Sequence, residues 1–208
     1  RTHIINDDLG ALTEIPYQYG MTAARSQNKV IWETFLDNST FFSSGNNNLI
    51  TKALSIEGLT EAQAKFAHLK DKNGELTGLQ AKYLLVPASL EVLAMQLYKD
   101  INIISVGGGS SKATTPAGNP FNGKYEPIAS PYLDDPSMTG YSATAWYLLA
   151  DPREAAAIDV VFLDGMDAPK VENFPAGVNV LGWSCRAVMD FGVTLADPRA
   201  GVKSSGNA

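Results

Sequence analysis

Cysteine and histidine are almost missing from this 208-residue chain, which has one cysteine, Cys185, and two histidines, His3 and His68. A single cysteine forms no internal disulfide, and that excludes a disulfide-stapled secreted module. As a nucleophile, Cys185 would need a histidine brought close to it in space. In "WSCRAVMDF" it reads instead as a small, half-buried strand residue, and the chain reads as cytosolic. Runs of positive charge are missing too. Sixteen Lys and Arg are scattered among 22 acids, giving a net charge of −6, which argues against an electrostatic nucleic-acid binder. No segment reaches eighteen consecutive apolar residues, so no membrane span is expected. "RTHIINDDLG" has neither the charged start nor the apolar stretch of a signal peptide. Charged residues make up 18% of the chain, below the usual quarter or so, and Asn, Ser, Thr and Gly must cover much of the surface.

Local patterns are richer. "TEIPYQYGMTAARSQNKVIWETFLDNS" predicts a long helix from Glu14 to Asp37, capped by Thr13 and with Pro16 in its first turn. Tyr17, Met21, Ala24, Ile31 and Phe35 follow helical spacing and predict its apolar face. Such a helix would span about 36 Å, long enough to act as a spine. A polar loop, 38–48, follows; its Phe41 and Phe42 are the candidates for exposed interface aromatics, with core burial the alternative. In "LTEAQAKFAHLKDKNG", Thr60 and Gln63 form a capping-box pattern with Leu59 as its staple. Ala64, Ala67 and His68 fall on successive turns, and "KNG" is the stop signal. His68 has no second histidine or acid one turn away, so it reads as a surface or core-edge residue and not as a metal ligand.

"LQAKYLLVPASLEVLAMQLYKD" (79–100) is the most organised stretch. Tyr83 to Val86 predict a buried strand, and Leu90, Leu93, Ala94 and Leu97 a helix packed on a core. "INIISV" (101–106) is expected to pair with the first strand. Ser105 to Gly123 holds five glycines and two prolines in nineteen residues and reads as loop. Later, "YEPIAS", "TAWYLLAD", "AIDVVFLDG" and "CRAVMDFGVTLAD" read as strands, separated by turns such as "DPS", "DPR" and "DGMDAP". Helices first and strands later predict a mixed α+β fold.

Strand, turn and helix N-terminus is the arrangement that holds phosphate in nucleotide-binding proteins, but "VPASLE" has no glycine and Pro87 has no N–H to offer. "VGGGSSK", with Lys112, is the better candidate, although no helical pattern follows it. An α/β enzyme or ligand-binding domain using Gly107–Lys112 for an anionic ligand is therefore the alternative reading. Asp7-Asp8 and Asp134-Asp135 read as turn or cap formers. Neither G-x-S-x-G nor H-E-x-x-H occurs. No catalytic, cofactor-binding or metal-ligating residue is assigned, and the chain does not read as an enzyme.

Longer segments carry a resemblance. "IINDDLGALTEIPYQYGMTAAR" leads into a long helix. "AKYLLVPASLEVLAMQL" is a strand–proline–helix unit, with Ala88 where a second proline is common. The chain closes on "AVMDFGVTLADPRAGVKSSG", and "TAWYLLADP" and "VVFLDGMDAPKVE" lie between. In this order the segments resemble the major head subunits of Mu-type phages. The resemblance implies the Hong Kong 97 capsid fold, with residues 1–47 supplying the spine helix of a peripheral domain and 48–140 mainly an axial domain. Residues 141–208 would be mainly peripheral strands, with a return of the last strand to the axial domain left open. It implies a structural subunit of a phage or prophage head, assembled from pentamers and hexamers in the bacterial cytoplasm and carried in the virion. Scaffolding, prohead protease and portal are the implied partners, and packaged DNA would be enclosed but not specifically bound. A cellular compartment shell of the same fold is a further option. Such subunits carry an N-terminal arm and an extended hairpin before the spine helix. Only thirteen residues precede Glu14 here, so a fragment or processed form is expected.

Overall fold

The computed structural model describes residues 11–106, 114–175, 177 and 183–207. The fold is α+β, in two compact units. One comprises residues 1–32 and 159–194, the other 33–158 and 195–208.

The larger unit is built on a five-stranded mixed sheet. Its strands are β1 (Leu49–Ile50), β2 (Ala81–Pro87), β5 (Glu126–Ser130), β6 (Trp146–Ala150) and β11 (Gly201–Ser204), in the order β1-β11-β6-β2-β5. β2 lies parallel to β5 and antiparallel to β6. It is therefore covered on both edges, and "LLVP" is buried throughout, the continuous apolar run that two-sided burial demands. Helix α2 (Ile56–Ala67) and helix α3 (Glu91–Lys99) contribute Leu59, Ala62, Phe66, Ala94 and Leu97 to one core with Leu84, Val86, Trp146, Leu148 and Val202. On the opposite side of β6, Tyr147 packs against Phe35 and Phe42, with ring centroids 5.0 and 5.4 Å away.

Phe41 and Phe42 are thus buried, not exposed. Their loop folds inward because two asparagines satisfy its backbone. Asn38 Oδ1 accepts from the N–H groups of Thr40 and Phe41, and Asn48, itself fully buried, accepts from Ser43 N and donates to Phe41 O.

Helix α2 begins a turn before the Thr60 box. Ser55 is extended (φ −162°, ψ 173°), and its hydroxyl accepts from Gly58 N at 3.1 Å. Thr60 sits inside the helix and donates to Ile56 O. The helix ends at Ala67. Ala64, Ala67 and His68 are exposed, and the buried stripe is Gly58, Leu59, Ala62 and Phe66. "KNG" belongs to a separate turn, in which Asp71 Oδ1 accepts from the N–H groups of Asn73 and Glu75 and Gly74 takes φ +86°.

The strand β3 (Asn102–Val106) pairs not with β2 but with β4 (Thr114–Gly118), in an antiparallel hairpin. Part of the glycine-rich segment is therefore strand. The parallel partner of β2 arrives only with β5, after the hairpin. Asn119 and Asn122 then return their amides to the orphan carbonyls of α3, at Leu97, Lys99 and Asp100, which a helix end requires.

Helix α1 (Ala11–Leu36) encloses Thr13, so that residue does not cap it. Tyr17, Met21 and Ala24 on its expected apolar face are exposed, whereas Tyr19, Ala23, Gln27 and Ile31, four residues apart, are half-buried. In the smaller unit, Tyr19 Oη donates to Cys185 O at 3.3 Å. That unit also holds a two-stranded ribbon of β8 (Lys170–Pro175) and β9 (Trp183–Val188), antiparallel. Glu172 and Arg186 face each other across it, 2.6 Å apart, and the Arg186 guanidinium lies over the Phe174 ring. Such cross-strand pairs hold a ribbon in register. A further pair is formed by β7 (Ile158–Phe162) and β10 (Phe191–Leu195). "CRAVMDFGVTLAD" is therefore two strands in different pairings, broken at Met189-Asp190.

Candidate functional site

The strand–turn–helix unit is built from the end of β2, a single 3-10 turn (Ala88–Leu90) and α3. Its turn is already occupied from within. Asp134 Oδ2 accepts from Ser89 N at 3.2 Å, and Ser89 Oγ donates to Ala143 O at 2.8 Å. A carboxylate of the chain itself thus stands where a phosphate-binding turn would place its ligand. Asp135 accepts from Ser137 N, so both acids serve turns. Gly107–Lys112, His3 and Asp7-Asp8 lie outside the described residues. The next described element after the glycine loop is strand β4, which offers no helix N-terminus to an anion.

A polar hollow of about 940 Å³ opens in the larger unit between Gly45–Asn47, the 68–72 turn and the 196–199 loop. His68, Lys70, Lys72 and Arg199 line it, with Asp71 and Asp197. Both acids are committed. Asp197 accepts from Arg199 Nε at 2.8 Å and from Arg199 N at 2.9 Å, capping a 3-10 turn. The Arg199 guanidinium holds the Asp197 carboxyl below its ordinary value. For Asp71, the Glu75 N–H is the first cause of a lowered value. Acids held ionised in this way are unsuited to donate protons, and no Ser, Thr or Cys is among the residues lining the hollow. Among the described residues no group of three or more His, Cys, Asp or Glu could hold a metal ion, and no helix is long and apolar enough to cross a membrane. Cys185 is half-buried on β9, and its unit has no histidine among the described residues.

The Asp197–Arg199 pair has a testable pH signature. A carboxyl lowered in the folded state contributes stability above its unfolded value of about 4 and loses it as pH falls through the folded value. In urea melts, wild type is expected to exceed Asp197→Asn by a constant margin from about pH 5 to 7, and the margin to close below about pH 4. Both side chains are about a third exposed (34% for Arg199 and 29% for Asp197), so solvent and salt screen the pair and keep the margin small.

What the unit leaves uncovered lies elsewhere. Ile101 and Val92 are 74% and 71% exposed, and Leu93 and Met95 are each 37% exposed. Leu93, expected in the core, is thus partly outside it; Ala94 and Leu97 carry the inner side of α3. A second apolar spacing, Val92 and Met95, was present in "EVLAMQLYK" and marks this outer side.

A family model described as phage capsid protein matches residues 1–204. The chain belongs to the phage capsid protein family. A comparison with curated protein sequences found no match. Membership in the phage capsid family implies a structural, non-enzymatic subunit that self-associates into a shell and resides in the virion. For such a protein the working parts are surfaces that meet other subunits, not a pocket. The self-capped turn at Ser89 and the internally paired acids of the hollow fit that role.

Proposed function

We propose that this capsid protein is the major head subunit of a Mu-type phage or prophage, with the Hong Kong 97 fold, and that it self-assembles as pentamers and hexamers into an icosahedral shell. The observation that carries the reading is the family match along residues 1–204. The geometry agrees with it. Helix α1, 26 residues long, is the spine helix. The axial domain, expected at 48–140, would fall within the larger unit, 33–158 and 195–208, with the mixed sheet and its two helices. Residues 159–194 belong with the start of α1 to the peripheral domain. Assembly takes place in the bacterial cytoplasm, with scaffolding, prohead protease and portal as partners. The net charge of −6 suits a wall that encloses DNA without gripping it, because phosphate contacts come from Lys and Arg.

Sedimentation velocity across a concentration series tests this. The expected result is a fast, discrete boundary above a threshold concentration, with a constant pool of slow material below it. A single slow species at every concentration, in buffers that favour assembly, would contradict the reading.

A further inference from the structure

We infer that the free edge of β8 is a contact between copies of this chain, in which β8 of a second copy pairs with it antiparallel across a two-fold axis. The inference rests on the capsid reading and names one of the surfaces by which its rings would join. In that reading the ribbon of β8 and β9 belongs to the peripheral domain, away from the five- and six-fold axes. Adjacent rings of an icosahedral shell meet across local two-fold axes, so a self-complementary surface has its place there.

Among the described residues, β8 pairs with β9 alone, and no further backbone hydrogen bond reaches Lys170–Phe174. Helix α1 meets the ribbon on the other strand, where Tyr19 Oη donates to Cys185 O. A strand edge left open in this way is a template for another strand. Neither a bulge nor an internal proline guards it. The register with β9 runs unbroken from Lys170 to Pro175. Pro169 and Pro175 stand at its two ends, so each residue from Lys170 to Phe174 keeps its N–H. A two-stranded ribbon is marginal by itself, and three or more strands are the ordinary condition for a stable sheet. Pairing through β8 would join two ribbons into one sheet of four strands.

The charges say which strand fits. Lys170 and Glu172 lie two residues apart and so share one face of β8. Glu172 holds Lys170 along its own strand at 2.9 Å and Arg186 across the ribbon at 2.6 Å. With a two-fold axis through Val171, each Val171 stands opposite the other copy's Val171, and each Lys170 opposite the other copy's Glu172. The ion pairs of the two ribbons then run on across the axis in alternating sign. An axis through Glu172 would set two carboxylates against each other, and an axis through Asn173 would set Glu172 against a phenylalanine; both are poorer cross-strand pairs. A six-residue strand covers far less than the roughly 800 Å² per partner of a stable pair. The contact thus acts as one of several that each subunit makes in a shell, and does not hold an isolated dimer.

The test is cross-linking in assembled material. Residues directly opposite each other in an antiparallel pair lie about 4.5–5.5 Å apart at Cα, within the span of a disulfide. On a Cys185→Ser background, oxidation of the fast-sedimenting fraction of Val171→Cys is expected to put most of the chain into a reducible dimer. Asn173→Cys should stay monomeric, as should Val171→Cys below the assembly threshold. One cysteine position links to itself across a two-fold axis but not in a head-to-tail contact. Lys170→Glu sets like charges opposite each other and is expected to raise the threshold concentration severalfold. Its melting temperature should stay near wild type, because this side chain is 65% exposed. Assembled Val171→Cys that does not link, or an unchanged threshold in Lys170→Glu, would overturn the inference. Linking through Asn173→Cys in its place would overturn the register. If the Cys185→Ser chain assembles and these results are not found, only this inference fails; if wild type never assembles, the capsid reading fails with it.

Discussion

Replacing Asn48 with alanine is expected to cost about 3 kcal/mol of stability, because it removes three buried hydrogen bonds at once and leaves Ser43 N and Pro198 O without their side-chain partner, while Phe41 O keeps Asn46 Nδ2. Asn48 is fully buried at the start of β1's approach. Its Oδ1 accepts from Ser43 N at 2.9 Å, and its Nδ2 donates to Phe41 O at 2.9 Å and to Pro198 O at 2.7 Å. Its own carbonyl accepts from Lys203 N. One side chain therefore ties the aromatic loop, the sheet edge and the 196–199 loop together. Alanine leaves one donor, Ser43 N, and one acceptor, Pro198 O, facing a small void, with Phe41 O held by Asn46 Nδ2 alone. Aspartate keeps the acceptor but loses both donations and buries a charge against two carbonyls, so Asn48→Asp should be at least as damaging. For a chain of this size the loss corresponds to a fall in Tm of roughly 6–12 °C. Thermal or urea unfolding of the two variants checks it; a change below about 1 kcal/mol in Asn48→Ala would mean that water replaces the lost bonds freely.

Trp146→Ala should be more severe still, at about 4 kcal/mol, as for other large-to-small aromatic changes in cores. Trp146 is fully buried, and its Nε1 donates to Lys52 O at 3.1 Å. It packs where Gly58 opens α2, and a Cβ on that glycine would come within 2.4 Å of Ala53 O and 3.3 Å of the indole. Trp146→Phe should cost much less, about 1–2 kcal/mol. The reason is local: the Ser204 hydroxyl donates to the same Lys52 carbonyl, which keeps a partner when the indole N–H is gone. Trp146→Phe combined with Ser204→Ala strips that carbonyl of both donors, and should cost more than the two single changes added together. Denaturant midpoints of the four proteins measure the coupling; strict additivity would show that the shared carbonyl does not matter.

The start of α2 shows why part of this fold was legible in the sequence and part was not. Tyr83 to Val86 and the inner side of α3 could be read because each is a local pattern, a continuous apolar run or a helical spacing. Ser55 has Gly58 three residues on, where a capping box carries Glu or Gln, so no local pattern marks it as the cap. Only the close approach of Ala53 O explains why glycine must stand there, and that approach is tertiary. The pairing of β2 with β5 was hidden for the same reason. "INIISV" is the nearer and more β-prone segment, but its partner is β4, inside a stretch whose glycines and prolines read as loop. Phe41 and Phe42 looked exposed because their neighbours are polar. Asn38 and Asn48 satisfy the loop's backbone and let the rings turn inward to Tyr147. In the candidate site, the absence of glycine in "VPASLE" is a local feature, whereas the reach of Asp134 to Ser89 N spans 45 residues and follows from no local pattern. The outer row of α3 was written in the sequence but masked by Leu93, which fits the inner spacing and yet stands partly in water.

Electron microscopy of the fast-sedimenting fraction tests the central claim most directly. The expected image is a closed shell of uniform diameter whose averaged views obey icosahedral symmetry, with five- and six-fold rings of subunits. Amorphous aggregate, or particles no larger than a few subunits from a solution in which the folded chain is abundant, would contradict it.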